Sequence, residues 1–347
     1  MEASPISDND YLQTIQNAQE TLELFKNKRV FITGGTGFFG KWLVQILAGA
    51  NRDLKLNLSL TVLCRNPKQS LIEQPWLNDS CIHLFAGDVR NFDLLNQSFD
   101  IFIHGATAAS ALINHTQPET MADTIIAGTK RVLLQAELSS KPRFLFISSG
   151  AIYGTQDPQI SHFSEHGNSG PDITKAANAY AEAKRMAELY CQFSQDQQKI
   201  SLSVARCFSF VGPYLPLNEH FAAGNFIGDT LNSKAVTLSG NGAPFRSYMY
   251  PTDLVEWLLT ILMKASQGSV YNVGSDEEIQ LGTLAKLIDG GRFGVQVLGK
   301  EDPYAKKNAY VPSIEKAKSE LGLKVRVELN DAIERTLLWH KNLKQEV

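Results

Sequence analysis

The stretch from Lys28 to Leu43 constrains the fold more than any other part of the chain. It reads Lys-Arg-Val-Phe-Ile-Thr-Gly-Gly-Thr-Gly-Phe-Phe-Gly-Lys-Trp-Leu. Val30 to Ile32 is a short apolar, β-branched run, as a buried parallel strand requires. Glycines follow at once. After Gly40 the apolar spacing becomes helical, with Trp42, Leu43, Ile46 and Leu47 on one face. Gly35, Gly37 and Gly40 fit G-x-G-x-x-G, and Gly34, Gly37 and Gly40 fit G-x-x-G-x-x-G equally well. Residues without Cβ permit a tight turn and let the backbone touch a pyrophosphate, which then faces the positive end of the next helix. Strand, glycine turn and helix in this order predict a dinucleotide site at Gly34, Gly37, Phe38, Phe39 and Gly40, and weigh against a merely structural glycine turn.

A second strand, Leu58 to Leu63, ends at Cys64-Arg65-Asn66-Pro67. An NAD site usually places a carboxylate there for the ribose 2′-hydroxyl. Here Arg65 stands beside the strand end, and a guanidinium fork suits a 2′-phosphate, so NADP is expected to be preferred over NAD. A third strand, Ile82 to Ala86, leads into Asp88 and Val89; a fourth, Ile101 to His104, leads into Gly105, Ala106, Thr107 and Ala108. Small residues at a strand end let a cofactor lie close. Asp88, Val89, Ala106 and Thr107 therefore join the expected cofactor site. A helix from about Pro118 to Ala136 and a strand from Phe144 to Ile147 follow. Strands alternating with helices give an α/β fold, a Rossmann-type doubly wound parallel sheet with ligands at the carboxyl ends of its strands.

The chain's 347 residues suffice for one large domain or two moderate ones. Its net charge of −3 gives no electrostatic case for nucleic acid or a membrane surface as partner. The N-terminus is polar and acidic, unlike a signal peptide, and no apolar run is long enough to span a bilayer, so a cytoplasmic protein is expected. Cys64, Cys81, Cys191 and Cys207 are scattered, which points to free thiols and to no metal site. Between about Asp8 and Phe25, Tyr11, Leu12, Ile15, Ala18 and Leu22 recur at helical spacing, with Ser7 or Asp8 as cap; this predicts an amphipathic helix packed on the main domain.

The fifth strand runs into Ser148-Ser149-Gly150-Ala151-Ile152-Tyr153-Gly154. Further on, Tyr180 and Lys184 are four apart, so both project from one helix face. A free phenol, with a pKa of about 10, is a poor base at neutral pH. A neighbouring ammonium stabilises the phenolate, and a serine hydroxyl opposite can hold a substrate oxygen.

The glycine loop, the Ser149 segment and Tyr180-x-x-x-Lys184 together resemble the extended short-chain dehydrogenase/reductase family, and within it the nucleotide-sugar epimerase/dehydratase group. The likeness runs from about Lys28 to Trp339. It implies a catalytic trio at Ser149, Tyr180 and Lys184, with Tyr180 and Lys184 also touching the cofactor. Ser149 is preferred to Ser148 because members place this hydroxyl four residues before a Tyr-Gly pair. His220 to Ile227 resembles the substrate segment of UDP-glucuronate decarboxylases, which places Asn225 against a nucleotide diphosphate. Arg246 matches the arginine that binds the diphosphate, and a fork of donors suits that anion. Ser209 stands where many relatives carry asparagine. Lys306 and Lys307 are expected to be solvated, as are His162, Glu165, His166 and Asp172 in the loop before Tyr180.

The resemblance implies oxidation of a sugar at carbon 4 as the shared first step. In dehydratases of the group Asp-Glu follows the residue matching Ser149, and decarboxylases carry a glutamate; Gly150 and Ala151 can move no proton. That disfavours standard elimination and decarboxylation, and it leaves an epimerase first, an NADPH-dependent 4-ketoreductase next, and an atypical dehydratase with His220 as substitute acid or base. A dinucleotide-binding sensor without turnover is the non-enzyme alternative, against which the intact trio argues. The expected organisation is an N-terminal helix (1–27), a cofactor domain (28–206) and a smaller, discontinuous substrate region (207–347) with segments returning to the first. Leu133, Leu134, Leu189 and Phe193 seem more apolar surface than one sheet face buries, and with the family's pairing of these helices they predict a homodimer.

Overall fold

The computed structural model describes residues 5–95, 97–107, 114, 116–157, 159–166, 170–219, 221–300 and 307–345. A helix, α1 (Asp8–Glu23), precedes the sheet. Then come β1 (Arg29–Thr33), α2 (Phe38–Asp53), β2 (Ser59–Cys64), a short α3 (Pro67–Glu73) and β3 (Ile82–Ala86). The chain continues through β4 (Ile101–His104), α4 (Pro118–Ala136), β5 (Arg143–Ser149), α5 (Ala179–Asp196) and β6 (Ser201–Cys207). The remainder holds α6 (Ala222–Leu231), β7 (Val236–Leu238), β8 (Phe245–Arg246), α7 (Pro251–Lys264), β9 (Ser269–Val273) and β10 (Ile279–Gln280). It closes with α8 (Leu281–Asp289), β11 (Val295–Val297), β12 (Ala309–Tyr310), α9 (Glu315–Leu321) and α10 (Leu329–Gln345).

Seven strands form one sheet in the order β3-β2-β1-β4-β5-β6-β9. Every neighbouring pair is parallel. The chain works outward from β1 to β3, then returns to place β4 on the other side of β1. That reversal opens a crevice above the carboxyl ends of β1 and β4, the usual ligand position in such sheets. β8 pairs with β10 and β12 in a small sheet, and β7 with β11 in another.

The apolar run of β1 alternates between two cores. Val30 and Ile32 face the layer of α2 and α7, among Trp42, Leu43 and Trp257. Phe31 faces the layer of α4 and α5, among Ile125, Val132 and Ala187. A strand buried on both faces must be apolar at every position, which is why it shows no polar alternation. Leu133, expected on an outer face, is 4% exposed and shares the inward face of α4 with Val132 and Ala136, while Leu134 (56%) and Phe193 (47%) do stand outside.

The first helix is a built-in part of this packing. Ser7 caps it by accepting from the Asp10 amide at 3.2 Å. Leu22 and Phe25 are fully buried. The buried Asp10 carboxylate accepts from the Tyr250 hydroxyl at 2.8 Å and from Arg335 at 2.8 Å, which ties α1 to α7 and α10. All four cysteines are buried and free. Among the described residues no helix is long and apolar enough to cross a membrane, and no cluster of His, Cys, Asp and Glu could hold a metal.

Candidate active site

The glycine loop closes on itself. Gly34 has φ +77°, and a Cβ there would lie 2.7 Å from the backbone of Gly105, at the end of β4. A Cβ on Gly40 would lie 2.1 Å from the Gly34 carbonyl oxygen. These two glycines are required by the protein's own packing. Gly37 differs: its conformation is extended, and a Cβ would meet nothing nearer than 3.4 Å. It precedes α2, whose first turn no side chain caps, so amide donors there are open to an anion. Phe39 stands edge-on to Phe210 at 4.8 Å, and Phe38 leans on Phe39 at 5.5 Å.

The end of β4 is bolted to β1. The Ala106 amide donates to Thr33 Oγ1 at 3.1 Å, and that oxygen meets His104 Nδ1 at 2.7 Å. His104 Nε2 meets Thr129 Oγ1 at 3.0 Å. Burial, with a smaller effect of the Lys184 charge, pushes His104 down to about 3, so it is a neutral structural group. Thr107 Oγ1 is buried without a partner in this structure. Ala108 lies outside the described residues.

Arg65 is exposed just past β2, and its charge reaches Asp88 beyond the end of β3. The Asp88 carboxylate is engaged by Arg90 through two bonds of 2.9 Å, which together with the backbone bond and nearby charges holds it at about 2. Val89 packs on α4, where a Cβ on Gly128 would lie 3.0 Å from its Cγ1.

At the end of β5 two adjacent serines part company, because successive side chains of a strand point to opposite faces. Ser148 donates to Glu188 at 2.5 Å. Arg206 grips the same carboxylate at 2.7 Å and donates to the Tyr153 hydroxyl at 3.0 Å, which donates to Asn272 at 2.6 Å. Ser148 is thus committed to a structural network. Ser149 Oγ accepts the Ala151 amide at 3.2 Å and hydrogen-bonds the Tyr180 hydroxyl. Burial raises the Tyr180 pKa, and the Ser149 bond pulls it back. Lys184, 3% exposed, donates to the Ile147 carbonyl at 2.8 Å and lies 5.0 Å from the centre of the Phe146 ring. Burial lowers its pKa to about 8. Asn114 fixes the start of α5 by accepting from the Tyr180 amide at 3.1 Å. Ser149, Tyr180 and Lys184 therefore converge from β5 and α5.

Arg246 donates to the Phe245 carbonyl at 2.7 Å and to Asn308 at 3.2 Å, and burial lowers its pKa. Tyr248 and Tyr310 lie close enough to act on its charge. Ser209 follows β6, its carbonyl accepting from the Met249 amide at 3.1 Å, and Asn225 is half-buried on α6. His220 and Lys306 lie outside the described residues. Lys307 pairs with Glu278 at 2.8 Å instead of being merely solvated. Glu165 departs from its expected solvated state too: its carboxylate accepts from the Asn272 amide at 2.9 Å because β9 ends against this loop. His162 is likewise engaged, Nε2 with the Asp276 carbonyl at 3.0 Å, while Asp172 is exposed and bonds Thr174.

Two residues of this region carry no sequence signal. Tyr310 pairs with Arg246 across the β12–β8 ladder and hydrogen-bonds Ser149. Phe208 lies 4.7 Å from the Tyr310 ring. Neither belongs to a spaced motif; only the return of β12 brings Tyr310 to the end of β5.

Residues 30–274 match the sequence profile of the NAD dependent epimerase/dehydratase family. The chain belongs to that family. It is an enzyme chain of the extended short-chain dehydrogenase/reductase type, in keeping with the trio and the glycine loop. It is 29% identical over 322 residues to UDP-glucuronic acid decarboxylase 1 of Xenopus tropicalis, covering 90% of this chain and 72% of that protein. Among solved structures, the epimerase Mth375 of Methanothermobacter thermautotrophicus superposes with a TM-score of 0.79 at 22% identity, over 96% of this chain and 97% of that one. The dTDP-glucose 4,6-dehydratase DesIV of Streptomyces venezuelae, with NAD and TYD bound, gives 0.76 at 22%, over 92% and 98%. The last two likenesses concern the fold.

Proposed function

We propose that this family member converts a nucleotide diphosphate sugar by redox chemistry at carbon 4, as an epimerase. The observation that carries the reading is the convergence of Ser149, Tyr180 and Lys184 beside Gly150 and Ala151, which offer no acid or base for elimination. The crevice fits a dinucleotide: Gly37 leaves open space at the uncapped start of α2, and the buried Thr107 hydroxyl awaits a partner. When bound, the nicotinamide supplies a hydride acceptor and donor. Tyr180 takes the proton of the carbon-4 hydroxyl, and Ser149 holds that oxygen. Lys184 places an ammonium in a dry site beside Tyr180; its remaining protons are free to bind the nicotinamide ribose and to favour the phenolate. Arg246 and Asn225 hold the diphosphate, with Ser209 and His220 lining the sugar.

Arg65 supports a second reading, an NADPH-dependent 4-ketoreductase, because its exposed guanidinium stands where a 2′-phosphate would arrive. On that basis NADP binds more tightly than NAD, a preference calorimetry with both cofactors tests. The exposed Leu134, Leu189 and Phe193 on α4 and α5 favour a homodimer, refuted by a concentration-independent monomer in light scattering.

One panel tests the reaction: UDP-, GDP-, CDP- and dTDP-sugars with either cofactor, followed by mass spectrometry and NMR. Unchanged mass with a new stereocentre is the expected result. Gain of two hydrogens with NADPH consumed selects the reductase. Loss of water or of carbon dioxide overturns the proposal.

A further inference from the structure

Gly150 leaves room for a hydroxyl. A Cβ built on it would lie 2.7 Å from the Tyr310 hydroxyl oxygen and 2.7 Å from Cζ of Phe208, closer than non-bonded atoms approach. The space of a side chain at position 150 is thus already taken by a phenol from β12 and a ring from the segment after β6. The phenol is held there. Its ring lies 4.7 Å from Phe208 and 6.3 Å from Phe163, and its backbone pairs with Arg246. Tyr180 and Tyr310 both hydrogen-bond the same Ser149 hydroxyl.

Counting protons fixes the direction of these bonds. A serine hydroxyl has one proton to give and two lone pairs. One lone pair of Ser149 accepts the Ala151 amide at 3.2 Å. Once Tyr180 is ionised it has no proton to offer, so Ser149 must donate to it. The second lone pair then faces Tyr310, which must be the donor.

We infer that Tyr310 is a positioning residue: its hydroxyl donates to Ser149, Ser149 donates to the Tyr180 phenolate, and this relay holds the base in its ionised form. The inference rests on the reading of Tyr180 as the carbon-4 base. Successive hydrogen bonds polarise one another, so the outer donor strengthens the inner one. Burial drives the Tyr310 pKa upward, which keeps its proton in place at neutral pH. Gly150 is the condition for the relay, since any Cβ there displaces the donor.

The test reads Tyr180 ionisation directly, in enzyme loaded with NAD, as tyrosinate absorbance of each variant minus that of the same variant carrying Tyr180→Phe. Tyr310→Phe raises the midpoint by about one pH unit. Ser149→Ala raises it at least as much, and Ser149→Ala with Tyr310→Phe raises it no further than Ser149→Ala alone. Gly150→Ala reproduces the Tyr310→Phe shift and serves if Tyr310→Phe does not fold. An unmoved midpoint in folded Tyr310→Phe, or shifts that add in the double variant, overturns the relay. The two proposals fail separately. A shifted midpoint in a protein that converts none of the UDP-, GDP-, CDP- and dTDP-sugars leaves the relay and removes the carbon-4 reading. An unmoved midpoint in an active epimerase does the reverse.

Discussion

The glycine loop between β1 and α2 and the ladder of β8 with β12 contribute to the site in different ways. In the loop, backbone packs on backbone: Gly34 against Gly105, and Gly40 against the Gly34 carbonyl. Its shape follows from adjacent residues and one neighbouring strand, and it offers amide donors. In the ladder, two-residue strands carry long side chains inward: Arg246, Tyr310 and, beside them, Phe208. Its shape depends on segments distant in the chain, and it offers side-chain charge and hydroxyls. The cofactor side is built to accept a constant ligand, and the other side is where small sequence changes alter chemistry, as Gly150 does by admitting Tyr310.

The largest effect tests whether Tyr180, between the two regions, belongs to the chemistry. Tyr180→Phe is expected to reduce turnover by about 10² to 10⁴ while NAD binding stays unchanged; near-normal turnover removes it from the mechanism. Next comes the ladder. Arg246→Ala removes a charge-assisted contact of about 1.5–3 kcal/mol, so KM for the sugar rises about 10- to 100-fold with NAD affinity intact. Equal loss of both ligands, measured by calorimetry, would erase the proposed division of labour.

The loop gives a smaller, sharper contrast. Gly40→Ala forces a methyl against the Gly34 carbonyl and lowers the melting temperature, costing about 1–3 kcal/mol. Gly37→Ala meets no such obstacle and melts within about 0.5 kcal/mol of the parent, yet binds NAD about tenfold more weakly. If the two melt alike, the distinction between closing glycines and ligand-facing glycine is wrong.

The smallest effect is a pH dependence of the cofactor-free enzyme. Burial lowers Lys184 from 10.5 to about 8. Below about pH 8 native and unfolded chains both carry the proton, and the native state bears the full cost of burying it. Between about 8 and 10.5 the unfolded chain binds the proton that the native state has released, so this residue makes stability rise with pH, by roughly 1 kcal/mol per unit at most. Lys184→Met should flatten that rise in denaturant titrations; an unchanged slope places its origin elsewhere.

Much of the cofactor side was legible because its signals are local. Val30 to Ile32, the glycines and the helical face of Trp42 lie within one short stretch, and the parallel sheet follows from strands alternating with helices. Tyr180 and Lys184 were legible from helical spacing. Ser149 was separable from Ser148 by resemblance, and the strand's alternation supplies the physical reason: Glu188 and Arg206 claim one serine and leave the other. The loop before Tyr180 misled, since polar residues there looked solvated, whereas Glu165 binds the Asn272 amide at the distant β9.

The sequence by itself determined the sheet, the glycine turn and the family, because each rests on a period or spacing a few residues long that backbone sterics and hydrogen bonding enforce. The tertiary structure decided which Leu of α4 faces inward, which serine is free, and that Gly150 makes space for Tyr310. Those outcomes depend on contacts between β5, β9 and β12, whose approach is set by the packing of the whole chain and leaves no local trace.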